Sequence, residues 1–214
     1  MLELRFHGRG GQGVVVGTTI LGEAFFSIGK NVQFFPEFGT ERRGSPVQAF
    51  LRVADERIRC RYSIFEPDHV ILFDTSILKT VSITSGLKEN GWILINSKKA
   101  PEEFGFKGKW RTATIDADRI SLKHGLGSEA APIINAAMTG AFAGLMGMIP
   151  AEAVMEAVRR SVPVKIEQNA AAALEAFNEA KIIRLESEGF GKKDSIHRRE
   201  RLAYAAGNLG QHAL

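Results

Sequence analysis

The chain has 214 residues, 44% of them hydrophobic and 24% charged, with a formal net charge of +4 and a single cysteine. Those values describe a globular chain large enough to bury its own core, as one α/β domain or one domain with an appendage. One cysteine excludes a disulfide framework, and also an iron–sulfur cluster or thiolate zinc site held by this chain alone.

Residues 2–6, Leu-Glu-Leu-Arg-Phe, alternate apolar and polar side chains, which predicts a strand with one wet face. Residues 14–28 then place Val16, Ile20, Ala24 and Ile28 at helical spacing. Between them lies Gly8-Arg-Gly-Gly-Gln-Gly13, in which Gly8, Gly10 and Gly13 fit the G-x-G-x-x-G pattern and Gly11 adds a fourth glycine. A strand–turn–helix of this kind needs glycine where φ is positive or where a ligand must approach the backbone closely. Its free N–H groups, at the positive end of the helix, suit phosphate. The other reading is a tight turn that only packs helix on sheet. A dinucleotide enzyme is disfavoured, because an acid should close the second strand to bind ribose. Residues 31–35 are the expected second strand, and Pro36 follows them with Glu37 in a loop.

Phe35-Pro-Glu-Phe-Gly-Thr-Glu-Arg-Arg-Gly-Ser-Pro46 holds two prolines and two glycines, so no regular structure is expected across it. Residues 47–53 and 57–62 alternate cleanly around Ala54-Asp-Glu56 and read as an antiparallel hairpin. Cys60 sits there between Arg59 and Arg61, as a reactive thiol or, by the commoner reading, a small packed side chain. Residues 69–73 form a short apolar run suited to a buried parallel strand. Asp74 after it is either a ligand contact at the strand's carboxyl end or a helix N-cap. A helix over 77–87, strands over 92–95 and 111–116, and a short helix to about His124 continue the βαβ rhythm. Residues 131–149 are apolar nearly all round and too short for a comfortable membrane span, so they read as the central core helix. The small residues of Gly140-Ala-Phe-Ala-Gly144 would let it lie close to the sheet. Helices over 151–160 and 166–182 finish the domain, the last with a stripe of Ile166, Ala170, Leu174, Phe177 and Lys181.

The expected fold is therefore α/β: a Rossmann-like domain with a largely parallel sheet flanked by helices, plus an antiparallel hairpin. It spans residues 1–186, and residues 187–214 form a basic C-terminal tail. From residue 190 onward, five Lys or Arg face only Asp194 and Glu200, which leaves the body near neutral. No general nucleic-acid face is expected, nor a membrane partner. No basic-then-apolar leader opens the sequence, so the expected location is cytoplasmic.

Four features coincide: the Arg-Phe-His-Gly-Arg-Gly-Gly-Gln-Gly-Val-Val opening, the Phe-Pro-Glu-Phe-Gly-Thr-Glu-Arg-Arg-Gly-Ser-Pro loop, the hairpin, and Glu66-Pro-Asp68 before an apolar strand. Together they resemble the gamma subunit of 2-oxoacid:ferredoxin oxidoreductases of the pyruvate and ketoisovalerate type, over roughly residues 2–182. The resemblance implies a complex that converts a 2-oxoacid to acyl-CoA, CO2 and reduced ferredoxin. Thiamine diphosphate and [4Fe–4S] clusters then belong to partner subunits of alpha, beta and delta type, and this chain is inactive alone. No four-cysteine set and no Gly-Asp-Gly segment of the thiamine diphosphate kind occurs in the sequence. The resemblance also implies coenzyme A contacts on this chain. The expected contact residues are Gly8, Gly10, Gly11, Gly13, Arg42, Arg43, Gly44 and Ser45, with no catalytic residue and no metal ligand. Two alternatives stand beside this reading: a stand-alone Rossmann dehydrogenase, which would need an acidic ribose partner and a proton-transfer residue near the cleft, and a non-catalytic assembly module. His7 precedes the glycines, but a lone histidine there reads more readily as structural. Phe34, Phe35 and Phe38 are expected to form an exposed cluster at a subunit interface, the other reading being that one or two of them pack in the core.

Overall fold

The computed structural model describes residues 1–38 and 44–187, apart from the side chains of Phe38 and Glu186. Arg42 and Arg43, and all of the tail beyond Ser187, lie outside the described residues. One six-stranded sheet organises the chain, in the order β2-β3-β1-β4-β5-β6. Strand β1 is Leu2–Arg9, β4 His69–Leu72, β5 Trp92–Asn96 and β6 Arg111–Ile115, and these four run parallel. Strands β2 (Asn31–Phe38) and β3 (Pro46–Ala54) form an antiparallel hairpin, and β3 also pairs antiparallel with β1. A two-residue ladder, Gly127–Ser128 (β7) with Ala131–Pro132 (β8), stands apart.

The hairpin is real but uses other residues than the sequence suggests. Residues 57–62 are not a strand, and the partner of β3 is β2, which runs straight through Pro36 to Phe38. Proline is tolerated there because β2 is the sheet's edge, where one side of the backbone needs no ladder partner. A second correction concerns the first strand. With β3 on one side and β4 on the other, β1 is interior, and its expected wet face is buried. Arg5 and His7 are buried, and Glu3 pairs with the fully buried Arg52 of β3 at 2.8 Å. The alternation of 2–6 thus marks a polar layer between strands and covering loops.

The helices gather on one face. Helix α1 (Val14–Ser27), α2 (Ala117–Lys123), α3 (Asn135–Met146), α4 (Ala151–Ser161) and α5 (Ile166–Ser187) share one core with Leu4, Phe6, Leu51, Ile71, Leu94 and Ile115. Helix α3 is its centre, with eleven of twelve residues buried. A Cβ on Gly140 or Gly144 would overlap the carbonyl oxygens of Ala173 and Phe177, so the small residues admit α5 rather than the sheet. Ala173 and Phe177 of α5 meet them, and Ala172, Ala176 and Ala180 are buried beside the Ala170 and Phe177 of the expected stripe, whose Ile166 and Lys181 are exposed. The opposite face of the sheet carries no α-helix among the described residues. Residues 77–87 hold only the end of a 3-10 turn, Thr75–Lys79, and further turns, where an α-helix was expected. Their Ile77, Ile83 and Leu87 cover Val70, Leu72, Ile93 and Ile95.

Candidate functional site

The carboxyl ends of β1, β4 and β5 open into one cleft of about 460 Å³. Its lining includes Arg9, Gly10, Gly11, Gln12, Gly44, Asp74, Asn96 and Asp118. The cleft lies where the chain order reverses, since α1 leads from β1 toward one edge and β4 begins the other half. That is where open α/β sheets place ligands.

The glycine turn is built by two different demands. Gly11 and Gly13 take positive φ, +92° and +77°, which strain any residue with a Cβ. Gly8 is inside β1, where a Cβ would press on the Val14 and Phe73 side chains, and it serves packing. Around Gly11 the space is open, with no atom within 4 Å of a Cβ. Gly13 caps α1 without any side-chain hydrogen bond, so the first N–H groups of α1 have no capping partner among the described residues. Gly8, Gly13 and Ser45 do not line the cleft, whereas Gly10, Gly11 and Gly44 do.

The far end of the 39–45 loop returns to this turn. The Gly10 N–H donates to the Ser45 carbonyl at 2.9 Å, the Gly44 N–H to the Gly10 carbonyl at 3.3 Å, and Arg9 Nη1 to the Gly44 carbonyl at 3.1 Å. Gly10, Gly44 and Ser45 are therefore brought together. The sequence suggests that β1 and β2 are neighbours. They are separated by β3, yet both are antiparallel to it, so their loops still leave the same edge. The intervening strand also removes the dinucleotide arrangement, in which the ribose-binding acid closes a strand adjacent to β1.

A polar network that the sequence reading missed holds the turn's other side. Gln12 accepts from the Arg9 N–H at 2.8 Å and donates to Asp74 at 2.7 Å, while Arg9 Nε donates to Ser76 and lies 3.4 Å from Asp74. Asp74 also accepts from the Ser76 N–H, so it is both the cap of the 3-10 turn and a wall of the cleft. Partial burial would raise its pKa, but hydrogen bonds from Ser76 and Gln12 and the charge of Arg9 hold it below the usual carboxylate range. Asn96 donates to Asp118 and accepts from the Ala117 N–H, fixing the start of α2 against the end of β5. The signal for these residues was their position directly after strands, which Asp74 showed and Asn96 hid by extending its strand by one residue.

His7 is 1% exposed, and its Nε2 accepts from Arg5 Nε at 3.1 Å. Burial, with the Arg5 charge added, pushes its pKa down to about 3, so it is a neutral residue of the sheet interior. It does not line the cleft. No group of three or more His, Cys, Asp or Glu among the described residues could hold a metal ion, and no described helix is long and apolar enough to cross a membrane.

Comparison with known proteins places this geometry. Residues 3–179 match the family described as pyruvate ferredoxin/flavodoxin oxidoreductase. The pyruvate synthase subunit PorC of Methanocaldococcus jannaschii is 47% identical over 180 residues, covering 84% of this chain and 97% of that protein. The pyruvate/ketoisovalerate oxidoreductases common subunit gamma of Thermococcus kodakarensis is 46% identical over 189 residues, covering 86% of this chain and 100% of that protein. Among solved structures, the pyruvate oxidoreductase subunit PORC of Thermotoga maritima superposes with a TM-score of 0.71 at 32% identity, covering 83% of this chain and 95% of that one. The sheet, the glycine turn and the returning loop are those of a chain that belongs to the pyruvate ferredoxin/flavodoxin oxidoreductase family and is similar to its gamma-type subunits.

Proposed function

We propose that this chain is the gamma subunit of a 2-oxoacid:ferredoxin oxidoreductase, in a complex that oxidatively decarboxylates pyruvate or a branched-chain 2-oxoacid to acyl-CoA, CO2 and reduced ferredoxin. Within it, the chain supplies coenzyme A contacts and subunit contacts. Thiamine diphosphate and the [4Fe–4S] clusters reside on partners of alpha, beta and delta type, and the complex works in the cytoplasm.

The observation that carries the coenzyme reading is the convergence of Gly10, Gly11, Gly44 and Ser45 beside the uncapped start of α1. Gly11 leaves room for close approach of a ligand, and the helix end adds a weak attraction for anions of about 0.3–1 kcal/mol. That alone cannot hold a polyphosphate. Arg9 is already matched by Asp74, and Asp118 adds a second carboxylate to the cleft. The sequence offers Arg42 and Arg43, which lie outside the described residues, as the cations of this reading, and Arg can meet phosphate bidentately. Coenzyme A, when bound, supplies the thiol that takes up the acyl group, and this chain's residues would hold its phosphates.

The carboxylates of the cleft favour the assembly-module reading as the competitor, in which Arg42 or Arg43 pairs with Glu37 or Glu41. Reconstitution tests the proposal at the level of the complex. The purified chain should be colourless and without dye-linked 2-oxoacid oxidation, and the remaining subunits should form acyl-CoA only when it is added. Substantial oxidation by the verified single chain would contradict it.

A further inference from the structure

Of the three phenylalanines expected at an interface, the Phe38 side chain lies outside the described residues. Phe34 and Phe35 are successive residues of β2 and point to opposite faces, Phe34 at 42% exposure and Phe35 packed on Phe50 with ring centroids 5.1 Å apart. A different surface stands out on the sheet face that lacks helices. The segment after β3 crosses that face and is tied down from beneath, with Gln33 donating to the Cys60 carbonyl and Arg52 to the Tyr62 carbonyl. Its exposure alternates. Arg57, Arg59 and Arg61 are exposed, whereas Ile58 and Cys60 are partly buried. None of the three arginines forms an ion pair within the described structure, although Glu56 and Glu66 flank the segment. Tyr62 and Phe65 continue the row at 61% and 72% exposure, and the Tyr62 ring is held by the Arg52 guanidinium 4.8 Å from its centroid. Ile64 between them is buried and anchors the segment.

The geometry points to residues 57–65 as a docking surface for an acidic, extended segment of a partner subunit. The alternating exposure puts the three arginines on the outer side of the segment. There they present their charges to carboxylates at every second residue of an extended partner segment, which stand roughly 6.5–7 Å apart, and Arg meets carboxylate bidentately. The two aromatics supply the apolar anchor that an arginine row alone lacks, since Tyr, Phe and Arg together are the residues enriched at the centres of protein interfaces. Nothing on this face needs to rearrange, because the segment is already fixed by Gln33 and Arg52. The inference rests on the reading of the chain as one subunit of a complex.

Binding of the purified chain to the purified remaining subunits, measured at low and high salt, tests it. The charge-reversal variant Arg57→Glu, Arg59→Glu, Arg61→Glu should bind roughly tenfold or more weakly at low salt and lose the salt dependence that the wild type shows. Its unfolding midpoint should match the wild type, because all three side chains are exposed. Should that variant fail to fold, the neutral triple variant Arg57→Gln, Arg59→Gln, Arg61→Gln and, separately, Phe65→Ser serve instead, and each should weaken binding. A wild-type chain that binds, with variants that bind equally at both salts, overturns this surface and leaves the proposed function standing. A wild-type chain that binds none of the other subunits overturns both. Normal assembly with a raised KM for ferredoxin overturns the subunit assignment and puts the electron acceptor on this surface.

Discussion

His7 and His69 lie in the interior, His7 with Nε2 accepting from Arg5 and His69 with Nδ1 accepting from the Trp92 N–H at 2.9 Å. Burial is the main cause that pushes them down, His7 to about 3 and His69 to about 4, from an ordinary value of 6.5. Both are therefore neutral in the folded chain. The unfolded chain takes up a proton at each as pH falls below about 6.5, and the folded chain does not. Stability is fully present above that pH and is lost toward pH 4, at about 1.4 kcal/mol per pH unit for each histidine. Urea unfolding at a series of pH values should show this slope, and His69→Asn, whose Oδ1 can still accept from Trp92, should make it shallower. An unchanged slope in that variant would mean that His69 is already charged in the fold. His7 could be recognised from the sequence as structural, because one histidine beside a glycine turn has no partner base. Its burial could not, because Glu3 and Arg5 beside it look like solvent-facing residues. Their partners, Arg52 for Glu3 and the Ile83 and Ser85 carbonyls for Arg5, lie 49 to 80 positions away.

Helix α3 meets α5 along Gly140 and Gly144, where a side chain would collide with backbone rather than with a movable neighbour. Gly140→Val should destabilise the chain by about 2–3 kcal/mol, as overpacking does, while Ala141, buried in the same core, should tolerate glycine far better. Urea midpoints of the two variants check this, and equal midpoints would contradict the close helix contact. Composition and length made α3 legible, since an apolar run between two prolines has few other places to go. The partner of its glycines was not legible, because a small residue signals close approach without naming what approaches. The segments 57–62 and 77–87 misled for a related reason. Alternation and helical spacing are local signals, whereas strand pairing is decided by which edge is free, and β2 was already there to take β3.

Across the whole molecule, the sheet divides the work. Its helical face holds the core, its loop-covered face carries the buried polar layer and the arginine row, and its carboxyl edge gathers the glycine turn and the returning loop. The turn and the loop were legible as motifs, and their convergence followed from two strands that point the same way. Asp74 was legible as a ligand contact or an N-cap, whereas Gln12 and Asn96 were hidden, because single polar residues of this kind show a purpose only once the strands lie side by side. The proposed function puts coenzyme A at this edge in the assembled enzyme. The measurement that reaches it most directly is the pair of Michaelis constants of the reconstituted complex carrying Arg42→Ala, Arg43→Ala or Gly11→Ala. The constant for coenzyme A should rise roughly tenfold in at least one arginine variant, the loss expected for one charge-assisted contact. Gly11→Ala should raise it too, through strain at positive φ. The constant for the 2-oxoacid should stay where it was. Both constants at wild-type values in all three variants, with the complex intact, would contradict the claim and leave this edge a structural one.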